Sequence, residues 1–167
     1  RTGEMPIIIG GYSGIYNTLT VYATEIKGLW EFCPVPGTER NDGTISHAAN
    51  STGSGAVIFR QVENKENAWE YIKWFTSTEV QAEYAARTEG MLGVLGRFDT
   101  ANTEALAQLS WSADELERLY AQQEQLVEIP ILPSSYAVTR NIMNAFRETV
   151  NEKENPRDTL IWYNRDI

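Results

Sequence analysis

The stretch Gly53-Ser54-Gly55-Ala56-Val57-Ile58-Phe59-Arg60, followed by Asn64-Lys65-Glu66-Asn67-Ala68-Trp69-Glu70-Tyr71-Ile72-Lys73-Trp74-Phe75, decides the fold class. Small residues lead into a short apolar run, as in a strand that emerges from a turn. A few positions later the apolar spacing becomes that of a helix: Ala68, Trp69, Ile72, Lys73 and Phe75 form one stripe, and Glu66, Glu70 and Thr76 the opposite face. Strand grammar passing into helix grammar within one stretch predicts an α/β chain.

Upstream, apolar runs at 6–9, 29–35 and 56–59 are separated by Gly10-Gly11, Pro34, Pro36-Gly37, Asp42-Gly43 and Gly53-Ser54-Gly55, which predicts short strands and turns. One helix interrupts them, capped by Ser13, with Ile15, Leu19 and Tyr22 on one face. Downstream, Thr76-Ser77-Thr78-Glu79 fits a capping box that opens a helix to about Thr88, with Gly90 ending it. A loop at 91–96 and helical pieces at 101–109 and 113–127 follow. Ser112-Ala113-Asp114-Glu115 opens the latter as a second capping box, and Leu116, Leu119, Tyr120 and Gln123 are its expected buried side. Pro130 and Pro133 make 128–134 an extended connector. A helix over about 135–151 is expected to bury Ile142, Met143, Phe146 and Val150. Asn155-Pro156 starts the last helix, with Leu160, Ile161 and Ile167 apolar. The stripe residues Trp69 and Trp162 are expected in the core. No internal repeat is found.

The 167 residues are 42% hydrophobic and 22% charged, an ordinary globular balance. Folded compactly, 18.9 kDa would expose roughly 8,000 Å². Lys plus Arg number 14 and Asp plus Glu 23, so the net charge of −9 argues against nucleic acid and anionic membrane surfaces as partners. Residues 60–128 hold 13 of the acids against 6 basic side chains, whereas residues 1–59 hold 5 and 3. No run of apolar residues is long enough to cross a membrane, so direct insertion is not expected. The opening Arg1-Thr2-Gly3-Glu4-Met5-Pro6 reads like the interior of a longer protein, and the chain is expected to be a fragment.

The lone cysteine, Cys33, leaves no disulfide framework or cysteine-based metal cluster, and the lone histidine, His47, weakens every histidine-dependent mechanism. Gly53-Ser54-Gly55 lacks the third glycine of a dinucleotide fingerprint and the Gly-Lys-Ser/Thr of a phosphate loop. Neither a metal nor another cofactor is expected. Asn50-Ser51-Thr52 matches a glycosylation acceptor, a triplet common by chance. The 23 acids leave a pair of opposed carboxylates open as a hydrolase alternative, and a structural interaction domain is a third reading. Aromatic residues beside chain punctuation carry more information. Tyr12 follows Gly10-Gly11, Trp30 begins a short apolar run, Trp111 follows a helix break, and Tyr136 follows the proline connector. Such rings offer a flat apolar face and a polar edge, which suits a sugar ring, although rim packing would place them equally well.

Three segments in order resemble the extracellular solute-binding proteins of carbohydrate-importing ABC transporters, the two-lobed class that includes maltose-binding protein. They are Gly3-Glu4-Met5-Pro6-Ile7-Ile8-Ile9-Gly10-Gly11-Tyr12; the 53–60 and 64–75 stretch quoted above; and Ile129-Pro130-Ile131-Leu132-Pro133-Ser134-Ser135-Tyr136-Ala137-Val138, leading to Arg140, Asn144-Ala145-Phe146 and Asn155-Pro156-Arg157-Asp158-Thr159-Leu160. Pro34-Val35-Pro36-Gly37 is similar to a run common in the class. Ser134-Ser135 and Thr24 depart from its pattern, where glycines or a bulkier aromatic, and proline, are frequent.

The resemblance implies the C-terminal lobe of a periplasmic-binding-protein-like fold of type II. Residues 1–167 would be a single partial domain, short N-terminal strands followed by a helical majority, without the N-terminal lobe. It further implies a non-enzymatic protein that takes a carbohydrate ligand and hands it to an ABC transporter permease. The location would be extracellular, periplasmic or lipoprotein-anchored at the outer face of the membrane. Tyr12, Tyr136 and Trp30 would stack on the ligand. Ser54, with the backbone around Gly53 and Gly55, would hydrogen-bond it at the hinge wall, Ser135 is a further ligand-binding candidate, and Arg140 would hold a hydroxyl pair or carboxylate by its fork or else form an intramolecular ion pair. With one wall of the cleft missing, feeble binding is expected.

Overall fold

A computed structural model describes residues 4–51 and 53–165. Gly3 of the first resembling segment, Thr52 of the glycosylation triplet and Ile167 of the last helix lie outside the described residues. Helices form the majority: α1 (Tyr12–Tyr22), α2 (Lys65–Phe75), α3 (Thr78–Leu92), α4 (Thr103–Leu106), α5 (Ala113–Gln123), α6 (Ser135–Arg147) and α7 (Pro156–Asn164). Single 3-10 turns occupy Thr24–Ile26 and Gly93–Gly96, and α6 runs on into a π-turn at Glu148–Glu152. Among the described residues the strands are two-residue pieces. β1 (Thr38–Glu39) pairs antiparallel with β2 (Ile45–Ser46), and β3 (Ala49–Asn50) pairs parallel with β4 (Leu126–Val127).

The chain divides into two compact units, Arg1–Val127 and Glu128–Ile167. In the first, the core is Leu106, Trp111 and Leu119, with Tyr12, Tyr16, Phe32, Leu109, Leu116 and Tyr120 packed against it. Polar contacts tie its helices together. Gln81 donates to the Phe75 carbonyl at 2.7 Å and accepts from the Thr100 hydroxyl at 3.0 Å, and Asn102 donates to the Thr76 carbonyl at 3.0 Å. Gln122 of α5 accepts from the Val35 amide at 2.7 Å and donates to the His47 carbonyl at 3.1 Å. Nδ1 of His47 lies 2.8 Å from the Val35 carbonyl, so this imidazole joins two loop segments. In the second unit α6 packs on α7 across Asn141, Ala145 and Thr159, with Thr149 and Thr159 hydroxyls 3.1 Å apart and Tyr163 donating to Glu148 at 2.6 Å.

Local sequence signals that need only a few neighbours agree with the structure. Ser112 and Glu115 form the reciprocal capping box of α5, and Asn155 with Pro156 opens α7. Other expectations are corrected. Gly11, extended at φ −62° and ψ 128°, is the cap of α1, and Ser13 lies buried within the helix. Ser77 rather than Thr76 caps α3, which runs past Gly90 to Leu92. Gly93 supplies the positive φ of 63° that turns the chain there.

The runs at 6–9, 29–35 and 56–59 form no strand. A strand is defined by its partner, and among the described residues none pairs with these runs. Helix faces also differ. Trp69 and Trp162 are exposed, and on α6 Asn141 and Ala145 are buried while Ile142, Met143, Phe146 and Val150 are not. A helix buries the side its neighbour touches, and α7 presents itself to the narrow Asn141–Ala145 side.

Candidate ligand-binding site

Tyr12 is the first residue of α1, and Tyr16 lies one turn later on the same face, so their rings share a direction. Trp30 is brought near by the turn at Gly28, whose φ of 77° suits a residue without a Cβ. Trp111 is set between α4 and the capping box of α5 by its amide, which donates to the Leu109 carbonyl at 2.8 Å. The result is one aromatic cluster. Trp111 lies 5.8 Å from Tyr12, 4.9 Å from Tyr16 and 6.3 Å from Phe32, and Tyr16 lies 5.3 Å from Trp30, mostly in edge-to-face geometry. Trp111 is buried, while Tyr12, Tyr16, Trp30 and Phe32 are half-buried.

Arg97 enters this cluster from the segment after Gly96. Its guanidinium sits 4.8 Å from the Trp111 ring and 5.1 Å from that of Tyr16, and its Nε donates to Glu89 at 2.8 Å. Both partners of that ion pair are largely buried, at 13% and 20% exposed. Burial disfavours the Arg97 charge, but Glu89 and Tyr16 outweigh it and hold the guanidinium more firmly protonated than usual. The Tyr12 phenol is pushed well above its ordinary range, by burial first and then by the charge of, and a hydrogen bond to, Asp99. Burial and the charge of Glu115 raise Tyr16 as well, against the opposing effect of Arg97. Glu115 itself is lowered: burial works against its charge, but hydrogen bonds from Ser112 and Tyr16 and the nearby Arg97 prevail. Two buried polar atoms here, Oδ1 of Asn17 and Nη1 of Arg97, make no hydrogen bond among the described residues. Half-buried aromatic residues flanked by carboxylates offer an apolar surface with polar groups beside it, the mixture a small-solute site uses.

Tyr12 and Trp30 are therefore joined through Tyr16 and Trp111. Gly53 and Ser54 are exposed, and among the described residues Ser54 makes no hydrogen bond. Ser135, Tyr136 and Arg140 belong to the second unit. The Ser135 hydroxyl accepts from the Leu132 amide at 2.7 Å and donates to the Pro130 carbonyl at 3.3 Å, so it closes the proline connector. Tyr136 is exposed, with the Arg140 guanidinium 5.8 Å above its ring one helical turn away. Sequence reasoning passed over Tyr16, Phe32, Arg97, Glu89, Asp99 and Glu115. Tyr16 was findable, being four residues from Tyr12 on a helix. Arg97 was not, since its partners on α1 are some eighty positions away.

Among the described residues no group of three or more His, Cys, Asp or Glu is placed to hold a metal ion, and no helix is long and apolar enough to cross a membrane. Residues 1–82 match the sequence profile of the bacterial extracellular solute-binding proteins. The match takes in α1, the Trp30 segment, Gly53, Ser54 and α2, and it supports capture of a solute outside the cell for transport. Ser135, Tyr136 and Arg140 lie beyond the solute-binding match. No curated protein and no solved structure matches the chain significantly.

Proposed function

We propose that this chain is part of the C-terminal lobe of a two-lobed, type II solute-binding protein that captures a sugar or oligosaccharide in an interlobe cleft and delivers it, unaltered, to an ABC transporter permease. The observation that carries the reading is the coincidence of the solute-binding match over residues 1–82 with an aromatic cluster that joins Tyr12 and Trp30. In this reading Tyr12 and Trp30 offer stacking faces, and Tyr136 offers another, steadied by Arg140. The exposed hydroxyl of Ser54 and the backbone at Gly53 supply hydrogen bonds, while Ser135 holds the connector that carries Tyr136. The protein works outside the cell or in a periplasm, free or lipid-anchored. It is not an enzyme, and both compact units belong to one partial lobe.

Thermal unfolding in the presence of a saccharide panel tests this. A ligand at ten times its Kd stabilises by about 1.4 kcal/mol. At least one saccharide is expected to raise Tm, by less for Tyr12→Ala and Tyr136→Ala. A panel with no stabilising member would overturn the reading, and release of new reducing ends would replace it with a hydrolase.

A further inference from the structure

The ionised groups around the aromatic cluster do not balance. Arg97, set against the Trp111 and Tyr16 rings, is matched by Glu89 at 2.8 Å. Arg118, which donates to the Phe32 carbonyl at 3.2 Å, is matched by Glu31 at 3.3 Å. Two carboxylates are left over: Asp99, which accepts from the Tyr12 phenol, and Glu115, which accepts from that of Tyr16. Among the described residues neither forms an ion pair. Glu115 is half-buried, so its charge is screened less than that of a fully exposed acid. A second, independent feature also asks for a hydrogen-bond donor. Asn17, 8% exposed and next to Tyr16 on α1, donates from Nδ2 to the Arg97 carbonyl at 3.0 Å, while its Oδ1 accepts nothing among the described residues. Half-buried rings, unmatched carboxylates and an unpaired amide oxygen together favour a cation that carries N–H donors. Nη1 of Arg97, the unpaired donor of the same cluster, is matched by a hydroxyl oxygen.

We propose that the cluster of Tyr12, Tyr16, Trp30 and Trp111 selects its solute by charge, and that the solute is an aminated saccharide, a hydroxyl-rich ring bearing an ammonium group. The inference rests on the sugar reading and narrows it to a substrate class. An ammonium group offsets the charge of Asp99 and Glu115, and the hydroxyls of the same molecule meet the unpaired guanidinium donor. A neutral saccharide leaves the two carboxylates as they are and binds more weakly. A uronic acid brings a further anion to a site that already holds an excess of them, and it is disfavoured.

Tryptophan fluorescence titrations with glucosamine, glucose and glucuronate, and with their galacto counterparts, read this out in low-salt buffer at about pH 6, where the amine is protonated and the uronate ionised. Within a series the amino sugar is expected to bind about threefold or more tighter than the neutral sugar, and the neutral sugar tighter than the uronate by a similar factor. Salt at about 0.5 M should shrink that spread. Asp99→Asn with Glu115→Gln keeps the shape of both side chains and removes both charges, so the spread should collapse at unchanged helical circular dichroism. Asp99→Asn alone, on an exposed side chain, should remove part of it. Equal affinities within a series, or a preference for the uronate, would overturn the charge selection and leave the sugar reading standing. A spread that survives the double variant would also overturn it, by placing the selection elsewhere on an acidic chain. No response to any of the six probes would overturn it as well, and the wider saccharide panel then decides the sugar reading separately.

Discussion

Replacing Trp111 by alanine removes the ring on which the first unit is assembled. The residue is 8% exposed, so folding takes roughly 200 Å² of indole out of water. At about 25 cal/mol per Å² this is about 5 kcal/mol, and residual burial in the unfolded chain trims it to about 3–4.5 kcal/mol. Truncations of buried tryptophan fall in the same range, about 3–5 kcal/mol. With seven buried apolar side chains among the described residues, a loss of that size is a large share of the stability. Urea titration followed by helical circular dichroism should show a midpoint lower by about 2 M, for a slope near 2 kcal/mol per M. Trp111→Phe keeps a ring against Tyr16 and should recover more than half of the loss. Trp74, 56% exposed, is the control, and Trp74→Ala should cost less than half as much. If Trp111→Ala cost no more than Trp74→Ala, the cluster would not be the centre of this unit.

The phenols of Tyr12 and Tyr16 bind their protons more tightly folded than unfolded. Their contribution is complete below the free tyrosine value near 10 and is lost as pH climbs from there toward the folded values. Absorbance titration at 295 nm should show tyrosines ionising late, and Tyr12→Phe should flatten the alkaline fall of Tm. Glu115 has the opposite sign: its lowered pKa contributes above the ordinary carboxylate range and is lost as pH drops through the folded value. Glu115→Gln should therefore flatten the acid limb of the same curve. Ser112→Ala breaks the capping box and should cost about 1 kcal/mol in urea titration. Gly96→Ala should cost about 1–3 kcal/mol, because a Cβ there overlaps the Thr88 carbonyl and adjoining backbone, which have no side-chain freedom to yield.

What the sequence made legible was what a few adjacent residues decide. The capping box at Ser112, the Asn155-Pro156 start and the proline connector each depend on contacts within about four positions, and each stands. The buried face of α6 was not legible, because Ile142, Phe146 and Val150 form an apolar stripe whichever side meets α7. Nor were the strands, since apolar composition at 6–9 and 56–59 names a candidate but not its partner. In the site, loop-end position singled out Tyr12 and Trp30, and helical spacing held Tyr16. Arg97 was hidden because its stack on Tyr16 and Trp111 joins three distant pieces of chain.

The central claim is that this chain recognises a hydroxyl-rich solute and returns it unchanged. Tryptophan fluorescence during saccharide titration reads the cluster directly, since Trp30 and Trp111 lie within it. The account predicts a saturable change with a Kd of about 1 mM, diminished by Trp30→Phe and Tyr12→Ala, with the saccharide recovered chemically intact. Fluorescence that follows no saccharide in the panel, a submicromolar Kd for this chain alone, or a cleaved sugar in the recovered pool would contradict it.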